Sequence, residues 1–362
     1  MFDITIISYS DPNRDSRTLN LAKACEEFGY LVNCIGFKSV EAPAKIISTP
    51  VSIDKNRRLL FNWRKFTDTI KNIDPAASIY LASDLYSLPA ASHLAGKHNA
   101  KLLYDSREIY SALGPINKNQ LKQRIIAQIE KRYVKNVDAM IVSGELDAVY
   151  LKEYFAHDHP YHVIMNVPPL IDVNKSNKLR DKYNLDNKKV IIYQGAVLNA
   201  RGLEYSIQEI SNNENFALVI IGDGPYLKYL QEKYTAYNII FTGAVNYNKL
   251  LEYTASADIG LSLFEDVSLS YRLALPNKLF EYAMANIPVI ATDLPAIRKI
   301  HEEFNFGELI EYPFSSGALL SAAQNIINKY LQYSSTVADM SQKYNYDSEK
   351  VKIRHLMEDL TQ

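Results

Sequence analysis

The sequence has few of the features that mark secreted or membrane-spanning proteins. Its 362 residues include only two cysteines, Cys25 and Cys34. A secreted chain of this size uses more cysteines, in pairs, so we expect both thiols to be reduced and the protein to be cytoplasmic. No stretch reaches the roughly 18 uninterrupted apolar residues of a membrane helix. The first residues, MFDITIISYS, also lack the basic start and long apolar region of a signal peptide. Any membrane contact is therefore expected to be peripheral.

The chain also lacks an excess of either charge. The formal net charge is −1 at pH 7, and the 26 tyrosines form no patch with basic residues, so we expect no nucleic-acid partner. Three histidines lie close together in HDHPYH (157–162), but Pro160 interrupts them and no nearby cysteine completes a metal site. We interpret this segment as a surface turn and expect no metal.

What the sequence does contain is an alternation of short apolar runs and longer helical patterns, and it occurs twice. The runs are 4–8, 31–36, 78–82, 101–105 and 139–143, then 189–195, 217–222, 239–243, 258–263 and 287–291. This alternation predicts parallel sheets covered by helices on both faces. Because the chain is longer than one core usually supports, we predict two Rossmann-like α/β domains, 1–168 and 189–345. Residues 169–188 are predicted to connect them, and 346–362 to form a C-terminal helix.

Sheets of this type bind ligands where the strands end, which directs attention to the turns of the second domain. Gly195 ends its first strand, and Arg201 and Gly202 stand at the following helix. Glycine lets the backbone approach a ligand, and free N–H groups beside an arginine favour a phosphate. The next two turns contribute Gly222, Asp223 and Gly224, then Gly243 and Val245. Taken alone, each turn is equally compatible with an ordinary strand-to-helix connection.

A fourth turn lies in LPNKLFEYAMANIPVIATDLPAI (275–297). Pro276 at the first helical position and free N–H groups over Asn277–Leu279 predict an anion site. Lys278 opposes the helix macrodipole there, which an anion would explain. Glu281, one turn later, suits hydroxyl groups. The alternative is a surface pair worth a few tenths of a kcal/mol. Four turns on one rim favour a ligand with both phosphates and hydroxyls, such as a nucleotide sugar.

In this order the segments G…RG, GDGP, FTG and PNKLFEYAMANIPVIATDLPAI resemble the C-terminal, donor-binding domain of glycosyltransferase family 4 (group 1). DSREIY (105–110) and VIMNVPP (163–169) agree with the first domain of that family. The resemblance covers nearly the whole chain, and 276–297 is its most specific part. It implies the GT-B fold, in which two Rossmann-like domains face each other across a cleft and a C-terminal helix packs back towards the first.

The resemblance also implies a retaining, metal-independent hexosyltransferase that uses a nucleotide-diphosphate sugar and no other cofactor. Glu281 would hold the ribose hydroxyls, and Arg201 and Lys278 would neutralise the diphosphate. Gly195 would allow close approach of the donor, and Val245 would lie against the base. The acceptor implied is a glycan or lipid-linked saccharide in the biosynthesis of cell-surface polysaccharides or glycoconjugates.

The sequence departs from the family at several positions. Many members carry a glutamate eight residues before Glu281, where this chain has Leu273, so Glu265 or Asp266 is an alternative contact for the sugar. A basic residue that often follows the first glycine is replaced by Ala196. On the acceptor side, Asp105, Arg107 and Glu108 stand where relatives have D-x-H-E. In the first loop (8–17), Arg14 and Arg17 either meet an acidic acceptor or are solvated loop charges.

Two other functions stay open at this point. The same fold serves sugar-nucleotide epimerases, which need no acceptor, and the residue at position 273 leaves room for a noncatalytic subunit that positions a partner transferase. The segment 118–135 is a basic amphipathic helix with Leu121, Ile125, Ile126 and Ile129 on its apolar face. It either packs on the sheet or contacts an anionic membrane surface.

Overall fold

The structure is a computed structural model that describes residues 1–13, 15–37, 48–52, 59–113 and 119–361. It divides into two units, one of Met1–Asn166 with Asp347–Gln362, and one of Val167–Tyr346. Within the described ranges, no helix combines the length and the apolar character needed to cross a membrane.

The first unit is built on a seven-stranded parallel sheet. Its strands are β1 (Phe2–Ile7), β2 (Val32–Phe37), β3 (Ser48–Val51), β4 (Ala77–Ala82), β5 (Lys101–Ser106), β6 (Ala139–Val142) and β7 (Tyr161–Val163). Their spatial order is β3-β2-β1-β4-β5-β6-β7. Its helices are α1 (Ser16–Glu27), α2 (Leu59–Ile73), α3 (Leu88–His98), α4 (Gln120–Val134) and α5 (Glu145–Phe155), with a 3₁₀ turn at Tyr110–Ala112.

The second unit is built on a six-stranded parallel sheet. Its strands are β8 (Lys189–Gln194), β9 (Phe216–Ile221), β10 (Ile239–Gly243), β11 (Ile259–Ser262), β12 (Val289–Thr292) and β13 (Gly307–Ile310), in the spatial order β10-β9-β8-β11-β12-β13. Before β8 comes α6 (Lys178–Tyr183), and the helices after it are α7 (Leu203–Ile210), α8 (Leu227–Lys233), α9 (Tyr247–Thr254), α10 (Leu269–Leu273), α11 (Asn277–Met284), α12 (Pro295–Phe304), α13 (Ala318–Asn328) and α14 (Tyr330–Lys343). The last helix, α15 (Tyr346–Thr361), begins at the end of this unit.

Both sheets have the buried apolar strands that the sequence predicts. Every residue of β9 is buried, and so is every residue of β6. Parallel strands covered on both faces need such runs because neither face meets water. The prediction of two parallel α/β sheets is therefore confirmed, and β3, β7 and β13 extend them beyond the predicted strands.

Two segments near the predicted domain boundaries pack locally. The stretch 169–188 contains α6, whose Leu179 is fully buried in the second unit. Most of α15 belongs to the first unit. There the Glu349 carboxylate accepts a hydrogen bond from the Met165 backbone N–H at 2.8 Å, and Arg354 lies over the Phe28 ring.

The basic helix α4 packs differently from a simple amphipathic helix. Its buried residues are Glu130 and Val134. Leu121 and Ile125, predicted on its apolar face, are 69% and 48% exposed. The Glu130 carboxylate instead accepts a hydrogen bond from the Tyr104 hydroxyl at 2.6 Å. Burial raises the pKa of Glu130 to about 7, against the opposing effects of this hydrogen bond and Lys131.

The structure also shows the surroundings of the two cysteines and of the histidines in 157–162. Cys25 and Cys34 are free and buried, and burial raises the pKa of each thiol to about 12. His157 and His159 stack on each other with ring centroids 5.0 Å apart. Across the parts of the chain that the structure describes, no group of three or more His, Cys, Asp or Glu side chains is arranged to hold a metal ion.

Candidate functional site

The strand order of the second sheet fixes where a ligand would bind. From β8 the chain moves outwards through β9 to β10, and then returns to place β11 on the other side of β8. At such a switch point the connections leave in opposite directions, which opens a crevice at the carboxyl ends of the two strands. Gly195 follows β8 and Phe264 follows β11, and Lys278 is the second residue of α11.

The glycine turns at this edge fit tightly against one another. A Cβ added to Gly222 would lie 1.8 Å from the Gly195 carbonyl oxygen, and one on Gly224 would lie 2.3 Å from the Val197 carbonyl oxygen. These two glycines are therefore required by the packing of one turn against the next. Gly195 differs, because its φ of +117° favours glycine and its added Cβ would point towards the Lys278 ammonium at 3.8 Å.

Lys278 is a buried cation without an anionic partner. Only 9% of its surface is exposed. Its ammonium lies 3.6 Å from the centroid of the Tyr193 ring and 5.7 Å from that of Phe264. Among the described residues, no carboxylate lies within 4.0 Å of it. Burial lowers the pKa of Lys278 well below its ordinary value, the Arg201 charge lowers it further, and Glu281 opposes both.

Arg201 is the second cation at this point. Its guanidinium lies over two aromatic rings, 4.0 Å from the centroid of Phe264 and 4.5 Å from that of Tyr271. One terminal nitrogen, Nη1, is buried and has no hydrogen-bond partner among the described residues. A buried donor without an acceptor costs free energy, so this nitrogen is available to a ligand. Both cations therefore border Phe264, with unused donors.

The start of α11 adds backbone donors beside them. Pro276 occupies the N-cap position and not the predicted first helical position, so α11 begins one residue later than predicted, and Pro276 supplies no side-chain cap. Asn277 is exposed, and Leu279 buries its side chain while its N–H donates to the Pro276 carbonyl oxygen. A helix start carries a partial positive charge, which adds to that of Lys278. The arrangement fits an anion with several oxygens.

Glu281 is held by a hydrogen-bond chain one turn further along α11. Its carboxylate accepts a hydrogen bond from the Gln194 side-chain amide, and Gln194 Oε1 accepts one from the Thr254 hydroxyl at 2.6 Å. Burial raises the pKa of the Glu281 carboxyl, although Gln194 and Lys278 oppose the change. The surface-pair alternative for Lys278 and Glu281 is wrong, because Lys278 is buried and Glu281 is partly buried and bound to Gln194.

Comparison with known proteins agrees with this geometry. Residues 175–344 match the model of the family "Glycosyl transferases group 1". The resemblance to the group 1 glycosyl transferases is confirmed. The matched segment includes Arg201, Lys278 and Glu281. Within it, Asp223 is exposed and caps the Gly224 N–H, and Val245 is partly buried beyond β10.

One curated relative matches locally. A GDP-mannose-dependent alpha-mannosyltransferase from Corynebacterium glutamicum is 38% identical over 72 residues, which is 20% of this chain and 17% of that protein. The local match thus spans less than a fifth of the relative's length.

Solved structures match over the whole chain. A sucrose-phosphate synthase from Thermosynechococcus elongatus is 17% identical with a TM-score of 0.81, covering 100% of this chain and 99% of that one. HepE from Anabaena, solved in complex with UDP-glucose, is 14% identical with a TM-score of 0.77, covering 99% and 100%. At these identities the likeness concerns the fold, and it confirms the predicted GT-B class.

The residues predicted to replace the glutamate that many group 1 glycosyltransferases carry have protein partners. The last residue of α10 is Leu273. Asp266 forms an ion pair with Arg272 at 2.6 Å. Burial raises the pKa of Glu265, and a hydrogen bond from the Gly202 backbone opposes this change. A role for either carboxylate towards the sugar stays a prediction.

The acceptor-side candidates lie in the first unit. Arg17 is 5% exposed and Asp105 is fully buried, and the Arg17 guanidinium donates to the Asp105 carboxylate from Nε and Nη2. Arg17 is therefore no solvated loop charge. Arg107 binds both Asp105 and Asp15. Arg14 lies outside the described residues, and the acceptor role of the whole set stays a prediction.

The aromatic residues beneath the cations carry no local signal in the sequence. Tyr193, Phe264 and Tyr271 come from β8, the end of β11 and α10, and they meet only because β8 and β11 are neighbours in the sheet. Gln194, which holds Glu281, was missed for the same reason. Its position directly before Gly195, at the carboxyl end of a strand, was the available signal.

Proposed function

We propose that the protein is a retaining glycosyltransferase that moves a sugar from a nucleotide diphosphate to a glycan or lipid-linked saccharide, in cell-surface polysaccharide or glycoconjugate biosynthesis. One observation carries the proposal. Two cations, Arg201 and Lys278, lie around Phe264, and no carboxylate of the described residues lies within 4.0 Å of either charge. Such a pair is costly in the free protein and becomes favourable when a diphosphate supplies the missing charge.

The same arrangement supports catalysis of sugar transfer. Breaking the bond between the sugar and the phosphate leaves negative charge on the departing diphosphate. Lys278, Arg201 and the start of α11 are held in place before the reaction, so they stabilise that charge without first having to reorganise. Because these groups supply the positive charge, we propose that the reaction needs no metal ion.

Glu281 accounts for the nucleoside part of the donor. Its carboxylate keeps lone pairs beyond the one that Gln194 uses, and these accept hydrogen bonds from ribose hydroxyls. The diphosphate would then lie towards Lys278, one turn earlier on α11. The base would lie towards Val245, beyond the edge strand β10. The names of the relatives support both UDP-sugars and GDP-mannose as candidate donors.

The test is incubation of the protein with a panel of UDP-, GDP- and dTDP-sugars. Slow release of free nucleoside diphosphate, faster with an acceptor, supports transfer. Isomerisation of the sugar indicates an epimerase, and donor binding without turnover indicates a noncatalytic subunit. The anomeric configuration of the product, read by NMR, tests retention. If activity disappears in EDTA and returns when a divalent ion is added, the proposal that the reaction needs no metal ion is contradicted.

We propose in addition that α4 contacts an anionic membrane surface from the cytoplasm. Leu121 and Ile125 are exposed on a helix that also exposes Lys122, Arg124, Lys131 and Arg132. Exposed apolar residues among lysines and arginines suit a surface of anionic lipids. Co-sedimentation with phosphatidylglycerol vesicles should exceed that with phosphatidylcholine vesicles, and Leu121→Gln with Ile125→Gln should abolish it. Equal sedimentation of the variant contradicts this contact.

A further inference from the structure

The carboxyl edge of the first sheet gathers a second group of ionisable side chains. In spatial order β1, β4, β5 and β6 are neighbours, so the segments that follow them lie side by side. Those segments carry Asp15 and Arg17, Asp84, Arg107 with Glu108, and Asp147. Asp147 is the third residue of α5 and was not among the predicted site residues.

Both described arginines at this edge are already occupied by the protein. Arg17 donates to Asp105 from Nε and Nη2, and from Nη1 to the Ile164 carbonyl oxygen at 2.7 Å. Arg107 donates to Asp105 at 3.1 Å, to Asp15, and to the Thr18 hydroxyl at 2.7 Å. Every guanidinium nitrogen thus has a protein acceptor. Neither arginine offers an anion the open donors that Arg201 offers in the second unit.

Asp147, unlike these two arginines, has polar atoms that no described residue binds. It is 9% exposed, and within the described residues its carboxyl has no hydrogen-bond or ion-pair partner. The N-cap of α5 is Gly144, which supplies no side chain. Burial raises the pKa of Asp147 to about 7, the nearby Glu108 raises it further, and Arg17 opposes both. A carboxyl that is nine-tenths buried and has no donor from the described residues leaves its oxygens open to a donor from a ligand.

The charges at this edge of the sheet favour a neutral ligand over an anionic one. The described acids in these segments are Asp11, Asp15, Asp84, Asp105, Glu108, Glu145 and Asp147, and the described cations are Arg17 and Arg107. Among the described residues at this edge, a phosphate would approach more acids than bases, and neither Arg17 nor Arg107 has a free guanidinium nitrogen to receive it. Hydroxyl groups are neutral donors that carboxylates bind in either protonation state.

We propose that Asp147 accepts a hydroxyl of a neutral, polyhydroxy ligand at the carboxyl edge of the first sheet. This inference rests on the proposed function, in which that ligand is the sugar end of the acceptor. It is an alternative to the prediction that Arg14 and Arg17 of the first loop meet an acidic acceptor. Asp147 acts as a binding residue, and no covalent step is assigned to it.

The test compares neutral sugars with their phosphates. Glucose, mannose, galactose and fructose, and the 6-phosphate of each, are added with a donor that the protein turns over. In the wild type, at least one neutral sugar should accelerate nucleotide release more than its 6-phosphate does. Asp147→Ala should raise the half-saturating sugar concentration about tenfold and leave release without sugar unchanged. Glu145→Gln, an exposed acid on the first turn of the same helix, is the matched control.

Three outcomes overturn the inference: a 6-phosphate better than its parent sugar, equal half-saturation in Asp147→Ala and wild type, or intact donor turnover that no sugar accelerates. If the wild type turns over no donor at all, the proposed function has failed instead. Saturation-transfer NMR with the same sugars then tests sugar binding at Asp147 without any need for donor turnover. Neutral sugars should give saturation-transfer signals with the wild type and Glu145→Gln, and these signals should be lost with Asp147→Ala. If the wild type gives no such signals, the inference is overturned.

Discussion

The ammonium nitrogen of Lys278 lies 3.6 Å from the centroid of the Tyr193 ring, at the carboxyl end of β8. A cation over an aromatic ring gains roughly 0.5–2 kcal/mol. Taking an ammonium out of water costs several kcal/mol, so the ring offsets only part of the penalty. The remaining penalty explains the lowered pKa of Lys278, and a bound anion would offset it.

Lys278→Met should stabilise the protein in the absence of ligand. The lysine has a folded-state pKa below its ordinary value of 10.5, so the unfolded chain binds more protons between those two pKa values. The free energy of unfolding of the wild type therefore rises with pH in that window, and the variant lacks this rise. We expect the variant to be more stable by roughly 1 kcal/mol or more at neutral pH. Urea titrations from pH 7 to 10 should show that advantage shrinking as pH rises. If Lys278→Met is more stable than the wild type by the same amount at every pH, the lowered pKa of Lys278 is contradicted.

Binding of a nucleoside diphosphate should be accompanied by proton uptake. The diphosphate favours the charged form of Lys278 and raises its pKa, so lysines that are neutral in the free protein gain a proton on binding. Calorimetric titrations in HEPES and in Tris, which differ in ionisation enthalpy, should give different binding enthalpies. Lys278→Arg, which keeps the charge but stays protonated, serves as the control and should remove the difference. Identical wild-type enthalpies in both buffers would count against a neutral lysine.

Two glycines with positive φ should respond unequally to alanine. In Gly222→Ala the new Cβ would meet the Gly195 carbonyl oxygen at 1.8 Å, and the two turns would have to separate, at a cost of about 3 kcal/mol or more. In Gly243→Ala the Cβ meets nothing within 4 Å, so the cost is the left-handed conformation alone, about 1–2 kcal/mol. Thermal unfolding should place the Gly222→Ala midpoint well below that of Gly243→Ala. Equal midpoints contradict the packing described for the turns.

Glu130→Gln should remove a loss of stability between acid and neutral pH. Burial raises the folded-state pKa of Glu130 from 4.5 to about 7, so the folded protein binds the extra proton in that window. The stability that this proton contributes is present below pH 4.5 and is lost as pH rises through about 7. The loss amounts to about 3 kcal/mol at most. Urea titrations at pH 5 and pH 8 should differ less for Glu130→Gln than for the wild type, and equal differences contradict a buried carboxyl of raised pKa.

Much of the fold could be predicted from the sequence because central parallel strands leave continuous apolar runs. The strands it missed are edge strands, β3, β7 and β13, of three or four residues each. An edge strand has a neighbour on one side only, and none of the three residues of β7 is fully buried. Such strands need no long apolar run and produce no clear pattern.

The site was predictable to the extent that its signals are local. Glycines at strand ends, and a lysine with a glutamate on the first turn of α11, can be recognised within a few residues of sequence. The contact of Arg201 with Phe264 and Tyr271 depends on which strands become neighbours. So does the ion pair between Arg17 and Asp105, which joins α1 to the end of β5. No short pattern records these contacts.

The most direct test of the central claim is calorimetry on three proteins, the wild type, Lys278→Met and Glu281→Gln. Each is titrated with the nucleoside diphosphate of the active donor, with pyrophosphate and with the nucleoside. Lys278→Met should weaken binding of the nucleoside diphosphate and pyrophosphate roughly 10- to 100-fold and leave the nucleoside unaffected. Glu281→Gln should weaken the nucleoside diphosphate and the nucleoside about tenfold and leave pyrophosphate unaffected. Unchanged affinity for the nucleoside diphosphate in both variants would contradict the placement of the donor at Lys278 and Glu281.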